Sequence, residues 1–227
     1  MKMMVLVCLA GVLVAASFAA ETNKAAQRVQ SAASVLNEIE GAPDQGIPEE
    51  ILGSADCVAV VPSMLKGGFM VAARYGRGVA SCRTAKGWSA PAFFAIEGGS
   101  FGFQVGGQAV DLVMLVMNNR GMDNLLSSKF QLGVDASVAA GPVGRHAAAD
   151  TDWKMRAQVL TYSRARGVFA GVSLAGARIR QDKDSTRDFY GRMVPFKTAL
   201  SGEIEAPNTV YPFLDSLSKW AKKAAEK

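Results

Sequence analysis

The side chains in this sequence that could do chemistry are mostly cations. Arg164 and Arg166 flank Ala165 at a spacing of two, so in a strand both project to one face beside Tyr162. Arg74 and Arg77 border a glycine-marked turn, and Lys66 stands just before Gly67-Gly68. Two further sets lie near the ends of the chain: Lys24 with Arg28, and Lys219, Lys222 and Lys223 beside Trp220. Binding a phosphate headgroup takes two or three converging Lys or Arg, with Arg adding bidentate geometry. Trp favours a membrane interface and lysines meet anionic headgroups. For each cation the competing reading is an ordinary solvated face, and a buried Arg paired with Asp135 or Asp111 is a third.

Other chemistries lack a part. Gly171-Val172-Ser173-Leu174-Ala175 resembles a nucleophile elbow without its last glycine. The elbow needs a strand–turn–helix with the histidine after the serine. Here the residues around Ser173 alternate like a strand, and the single histidine, His146, precedes it in a loop. Gly102-x-x-x-Gly106-Gly107 lacks the Lys-Ser/Thr ending of a phosphate loop, and Gly76-x-Gly78 lacks a third glycine and a following helix. Asp111, Asp135, Asp150 and Asp152 do not have the spacing of a calcium loop. One histidine and three cysteines are too few for a zinc site, which wants about four N/S ligands. The expectation is a protein without catalysis and without a cofactor.

These side chains must be positioned by helices and strands. Ala25, Val29, Ala32, Ala33, Leu36 and Ile39 recur every three to four residues, which predicts a helix from Glu21 to Glu40. Pro48 fits a first-turn position of a short helix, with Glu49 and Glu50 at its positive end. From Cys57 onward the pattern becomes strand-like. Phe69–Tyr75 and Val79–Arg83 flank Gly76-Arg77-Gly78 as a predicted hairpin. Turns are likewise expected at Lys86-Gly87, Gly98-Gly99 and Gly106-Gly107, a short helix around Leu125-Leu126, and strands at 130–138, 159–164 and 167–176. After Asp184 the chain reads as helical, ending in an amphipathic helix through Val210, Phe213, Leu214, Leu217 and Trp220. The expected class is α+β: a curved, barrel-like antiparallel sheet with an N-terminal helix, short connecting helices and a C-terminal helix.

The chain has 227 residues, 49% of them hydrophobic and 20% charged, which excludes a disordered protein and gives enough length for a full core. Its net charge of +5 suits an anionic surface, and without a long basic run it does not point to nucleic acid. Residues 1–20 carry Lys2, an apolar run and the small-x-small sequence Ser17-Phe18-Ala19, the pattern of a signal peptide cleaved after Ala19. The competing reading is a membrane anchor, but the run is short for a span of ~20 residues. The expectation is export and one domain over residues 20–227. Cys57 and Cys82 then remain at the ends of two neighbouring strands, and in an oxidising compartment they are expected to be paired.

A series of short motifs also resembles a known family. Val58-Ala59-Val60-Val61-Pro62, Gly67-Gly68-Phe69, Gly76-Arg77-Gly78, Trp88-Ser89-Ala90-Pro91, Gly98-Gly99-Ser100, Gly102-Phe103-Gln104-Val105-Gly106, Leu132-Gly133-Val134-Asp135-Ala136 and Tyr162-Ser163-Arg164-Ala165-Arg166-Gly167 resemble the SYLF domain. The run from Gly167 to Gly176 is especially similar to it. The resemblance implies a binding module. Eukaryotic SYLF proteins bind membrane phospholipids, often through a basic amphipathic N-terminal helix, and fungal members bind actin filaments. Bacterial members are small exported proteins. This sequence has no SH3 or FYVE module beside the domain, and its N-terminal helix offers only Lys24 and Arg28. Those departures argue against actin as a partner and against phosphoinositide selectivity. The expected function is reversible attachment to anionic phospholipid surfaces of a bacterial envelope, in the periplasm or associated with the envelope. The alternative is an envelope structural or protein-interaction module without lipid preference.

Overall fold

The structure is a computed structural model that describes residues 24–39, 46–69, 71–101, 106–127, 129–144, 157–165 and 167–225. The predicted signal segment, His146 and Arg166 lie outside the described residues.

Helix α1 (residues 24–39) buries the expected stripe of Ala25, Val29, Ala32, Ala33, Leu36 and Ile39. Its alanines allow the helix to sit close on the sheet. Helix α2 (Glu49–Gly53) follows, with Pro48 at its N-cap rather than inside its first turn. The Pro48 carbonyl accepts the amides of Ile51 and Leu52 at 3.1 Å each, which starts the helix without a side-chain cap.

Four long strands carry the fold: β1 (Cys57–Phe69), β2 (Val71–Thr84), β4 (Ala92–Phe101) and β5 (Gly106–Val116). The two-residue β3 (Gly87–Trp88) pairs with the end of β2. Beyond β5 come α3 (Asn119–Leu126), β6 (Lys129–Gln131), β7 (Val138–Ala140), β8 (Val159–Ala165), β9 (Val168–Gly171) and β10 (Arg178–Gln181). The chain ends in α4 (Lys183–Tyr190), α5 (Phe196–Leu200), a 3₁₀ turn (Asn208–Val210) and α6 (Tyr211–Ala225). The sheet runs β6-β10-β4-β2-β1-β5-β8-β7, with β9 also on β8, and curls into a half-barrel. All these pairs are antiparallel except β7–β8, so the sheet is mixed rather than wholly antiparallel. The residues between Ala140 and Val159 give the crossover of about a dozen residues or more that a parallel pair requires.

Three of the expected turns are strand. Gly76 and Gly78 lie inside an unbroken β2, Gly98 and Gly99 inside β4, and Gly106 and Gly107 inside β5. At Gly76, Gly78 and Gly98 the reason is close approach, whereas a Cβ on Gly107 would meet nothing within 4 Å. A Cβ on Gly76 would stand 2.5 Å from Val61 Cγ1, and one on Gly78 2.5 Å from the Val60 carbonyl oxygen and 2.6 Å from the Phe94 ring. Opposite them β1 bulges at Pro62-Ser63, where the pairing with both β2 and β5 shifts and Ser63 takes φ 52°. A bulge adds a residue to one strand and sharpens the local twist, which helps the sheet curl. The turn at Lys86-Gly87 forms as expected, with Gly87 at φ 113°.

Both faces of the central strands are covered, so their sequences read as continuous apolar runs. On one face Val58, Val60, Val79, Phe93, Val113 and Leu115 pack with Leu36 of α1, Ile51 of α2, and Phe213 and Leu217 of α6. On the other face Ala59, Val61, Met64, Phe94, Ile96 and Leu112 pack with Leu125, Phe130, Phe196 and Leu200. Cys57 and Cys82 are direct partners across β1 and β2 and form a disulfide, as expected. No described helix is long and apolar enough to cross a membrane.

Candidate functional site

Two of the cation sets from the sequence meet over the middle of β2. Arg28 comes from α1 and Arg77 from β2, and each lies 3.6 Å from the same Asp182 oxygen. Asp182 is the N-cap of α4: its Oδ1 accepts the Ser185 amide at 3.2 Å and its Oδ2 the Ser185 hydroxyl at 2.8 Å. Arg28 also donates to Ser185 Oγ at 2.9 Å and lies 5.9 Å from the centre of the Phe93 ring. Burial pulls the Arg28 guanidinium below its ordinary value, and Asp182 opposes that pull. Arg77 donates from Nε to the Tyr75 hydroxyl at 3.1 Å, and that bond holds its pKa above the usual value. Lys24 and Arg187 join these residues around a cavity of about 450 Å³. Asp184 and Asp188 line the same cavity, with Arg187 3.8 Å from Asp184, so four cations there face three carboxylates when Asp182 is counted.

Tyr75 connects this cluster to the second. It stands across from Leu65, and both are exposed, at 41% and 59%. On the same sheet face Gly67, Ala73, Gly107 and Ala109 add only small side chains, so the pair sits on a bare apolar shelf. Lys66 and Arg74 are cross-strand partners one step along, and so project to the opposite face. The depression formed by these residues measures about 460 Å³. Arg74 donates to the Ser173 carbonyl at 3.3 Å, whereas Lys66 has no acidic partner among the described residues. Burial lowers the pKa of both, and Arg74 lowers that of Lys66 further. The result is an apolar shelf that no described element covers, with cations on both sides of the sheet.

The other candidates lie elsewhere. Arg164 donates twice to Asp111 and pairs with Glu38 of α1, so it fastens α1 to the sheet instead of facing a ligand. This is the buried Arg–Asp pair considered as a third reading. Lys219 pairs with Asp215 at 2.9 Å. Trp220 is only 7% exposed and packs in the core with Phe213 and Leu217, so its ring is not at an interface. Lys222 and Lys223 lie on the last turns of α6. Ser173 sits in a loop after β9 rather than in a strand, and among the described residues its hydroxyl accepts the Ala175 amide at 3.5 Å and meets no histidine. The described residues contain no cluster of three or more His, Cys, Asp or Glu side chains that could hold a metal. The sequence reading missed Leu65, Tyr75, Asp182 and Ser185. Asp182 and Ser185 carry a visible N-cap spacing before α4, whereas Leu65 and Tyr75 look like core positions.

The family model described as "Ysc84: Las17-binding protein actin regulator" matches residues 97–220, more than half of the chain, from β4 to α6. The chain belongs to the Ysc84 family. The resemblance to the SYLF domain therefore holds. The chain is 34% identical over 205 residues to the SH3 domain-containing YSC84-like protein 1 of Xenopus laevis, covering 88% of this chain and 60% of that protein. It is 32% identical over 204 residues to the human protein of the same name, covering 88% and 59%. It is 35% identical over 209 residues to Protein YSC84 of Saccharomyces cerevisiae, covering 90% and 44%. The chain thus spans about three-fifths of the vertebrate relatives' length and less than half of the yeast protein's. The Ysc84 description names protein binding and actin regulation, not a reaction, and gives no support to the expectation that actin is not a partner.

Proposed function

We propose that this Ysc84-family chain is a non-catalytic, exported protein that attaches reversibly to anionic membrane surfaces through the cation-flanked end of its sheet. The observation that carries this reading is the exposed Leu65–Tyr75 pair, with Lys66 and Arg74 on one side and Arg77 on the other. Near an anionic leaflet each Lys or Arg contributes about 1 kcal/mol. Three such cations give a millimolar-range attraction, which insertion of the apolar pair would strengthen. Export is supported by the signal-like first segment and by the paired cysteines, which persist in an oxidising compartment. Co-sedimentation with vesicles of phosphatidylglycerol or of phosphatidylcholine tests the proposal: binding should be confined to the anionic vesicles and fall as salt rises. Equal binding to both, or none to either, would remove it.

The family description favours a second reading, a protein-interaction module without lipid preference. Retention of an envelope protein on the immobilised chain, together with indifference to vesicle composition, would support it. Pelleting with actin filaments tests whether the regulator role in the family description extends to this chain.

A further inference from the structure

At the opposite end of β2 the charge pattern reverses. A groove of about 1250 Å³ runs between the β2–β3 turn and the first turns of α6, over the loop at 202–206. Gly202 brings this loop close to the turn: it takes φ 78°, and a Cβ there would stand 3.0 Å from Thr84 Cγ2. Three carboxylates line the groove, Glu203, Glu205 and Asp215, against one lining cation, Lys86. Of the three, Asp215 is neutralised by Lys219 at 2.9 Å. Glu203 only accepts the Ser201 hydroxyl, at 2.8 Å, and Glu205 has no partner among the described residues. With Lys86 set against Glu203 and Glu205 the groove keeps an excess of one negative charge, in a chain of net charge +5.

The groove walls add aromatic surface. Tyr211 is 52% exposed on one wall, and Trp88 stands on the other. Trp88 already accepts one guanidinium, that of Arg83, 4.7 Å from its ring centre, so such a cation suits this ring. Carboxylates meet the charged heads of Lys or Arg, and aromatic rings cover their apolar stems. The volume exceeds the ~300–1,000 Å³ of small-molecule pockets, which favours a chain segment over a compact ligand.

We propose that this groove binds an extended, Lys- and Arg-bearing peptide segment of a protein partner. About nine residues of β2 separate it from Tyr75, roughly 30 Å of strand at 3.3 Å per residue. The partner therefore docks well away from the cation-flanked end. The groove and its test stand whether or not that end meets a membrane.

The probe is a fluorescein-labelled peptide of repeated Lys-Ala-Arg-Ala units, followed by anisotropy with the full chain. Saturable binding that weakens with salt is expected, with none for the matching Glu-Ala-Asp-Ala peptide. The double variant E203Q/E205Q should lose roughly tenfold in affinity, and Y211A should also weaken binding. Both alter exposed side chains, and unchanged melting temperatures show that the fold is kept. K66Q/R74Q should bind the peptide like the native chain. Undiminished binding by E203Q/E205Q, or no saturable binding at all, would overturn the proposal. So would displacement of the peptide by spermine at equal concentration, since that would mark a site for small polycations.

Discussion

Arg164 donates from Nε and Nη2 to a single oxygen of Asp111, at 2.9 and 2.6 Å, while the other Asp111 oxygen accepts the Ser63 amide at 2.9 Å. One carboxylate thus ties β8 to the bulge of β1, and Glu38 extends the link to α1. Both Arg164 and Asp111 side chains are 15% exposed. Removing one partner leaves a largely buried charge uncompensated, so R164Q should cost about 2–4 kcal/mol in urea unfolding. The same variant should leave vesicle affinity per folded molecule unchanged. A selective loss of binding with stability intact would return Arg164 to the ligand site.

The glycines separate two kinds of cost. G78A would push a Cβ against the Val60 backbone oxygen, which cannot rotate away, and should destabilise the fold by about 2–3 kcal/mol. G87A meets nothing within 4 Å but must hold φ 113°, and should cost about 1–2 kcal/mol through backbone strain alone. Chemical denaturation of the two variants side by side checks the order.

The disulfide closes a separation of 25 residues, so replacing both cysteines by Ala should cost about 3 kcal/mol, with the loss of side-chain packing added. Thiol titration of denatured, unreduced protein lacking residues 1–19 should find neither Cys57 nor Cys82 free. Two reactive thiols would contradict the pairing.

Membrane attachment should depend on the sheet end more than on the tail. L65S/Y75S and K66Q/R74Q should each reduce sedimentation with phosphatidylglycerol vesicles several-fold. Replacing Lys219, Lys222 and Lys223 by Gln should have a smaller effect, because Trp220 is held in the core and Lys219 is already paired. Since exposed charges are screened over ~8 Å at 0.15 M salt, binding should fall steeply towards physiological ionic strength. A dominant effect of the tail triple would move the contact surface to α6.

Burial raises the pKa of Tyr162 and of Tyr190 far above that of a free phenol. With folded values raised, stability is unaffected below the unfolded pKa near 10 and falls as pH rises above it. The slope should be about 1.4 kcal/mol per pH unit for each tyrosine. The two should differ at neutral pH. The Tyr162 hydroxyl has no partner among the described residues, so Y162F should be neutral or stabilising, whereas Y190F gives up a 2.6 Å bond to the Pro91 carbonyl. Thermal melts from pH 7 to 11 measure both effects.

What could be read from the sequence follows from how local each signal is. The stripes of α1 and α6 are fixed by spacing within one helix, and both were legible. The strands were legible as apolar runs, but their ends were not. Glycine marks a turn or a close approach with the same letter, and at Gly76, Gly78 and Gly98 the second use prevails. Arg28, Arg77 and Asp182 are far apart in sequence, and their meeting depends on how β2, α1 and α4 pack. Trp220 beside three lysines fits a membrane edge and a core anchor equally well in sequence, and only the packing of α6 distinguishes the two. Leu65 and Tyr75 continue strands that supply much of the core, so nothing local distinguishes these two positions from covered ones.

The Pro62-Ser63 bulge also fixes an inside–outside parity. Before it the odd-numbered Cys57, Ala59 and Val61 share a face of β1; after it the even-numbered Met64 continues that face, and Lys66 with it. Were the same residues to run as a regular strand with no bulge, the alternation would continue unshifted. Lys66 would then turn towards the α1 side and Leu65 away from it, exchanging the charged and apolar sides of the strand tip without altering either residue. A single-codon deletion at Ser63 would remove the surplus residue and the bulge together and leave Met64, Leu65 and Lys66 on their present faces, so it would separate the twist that the bulge adds from the polarity of the tip.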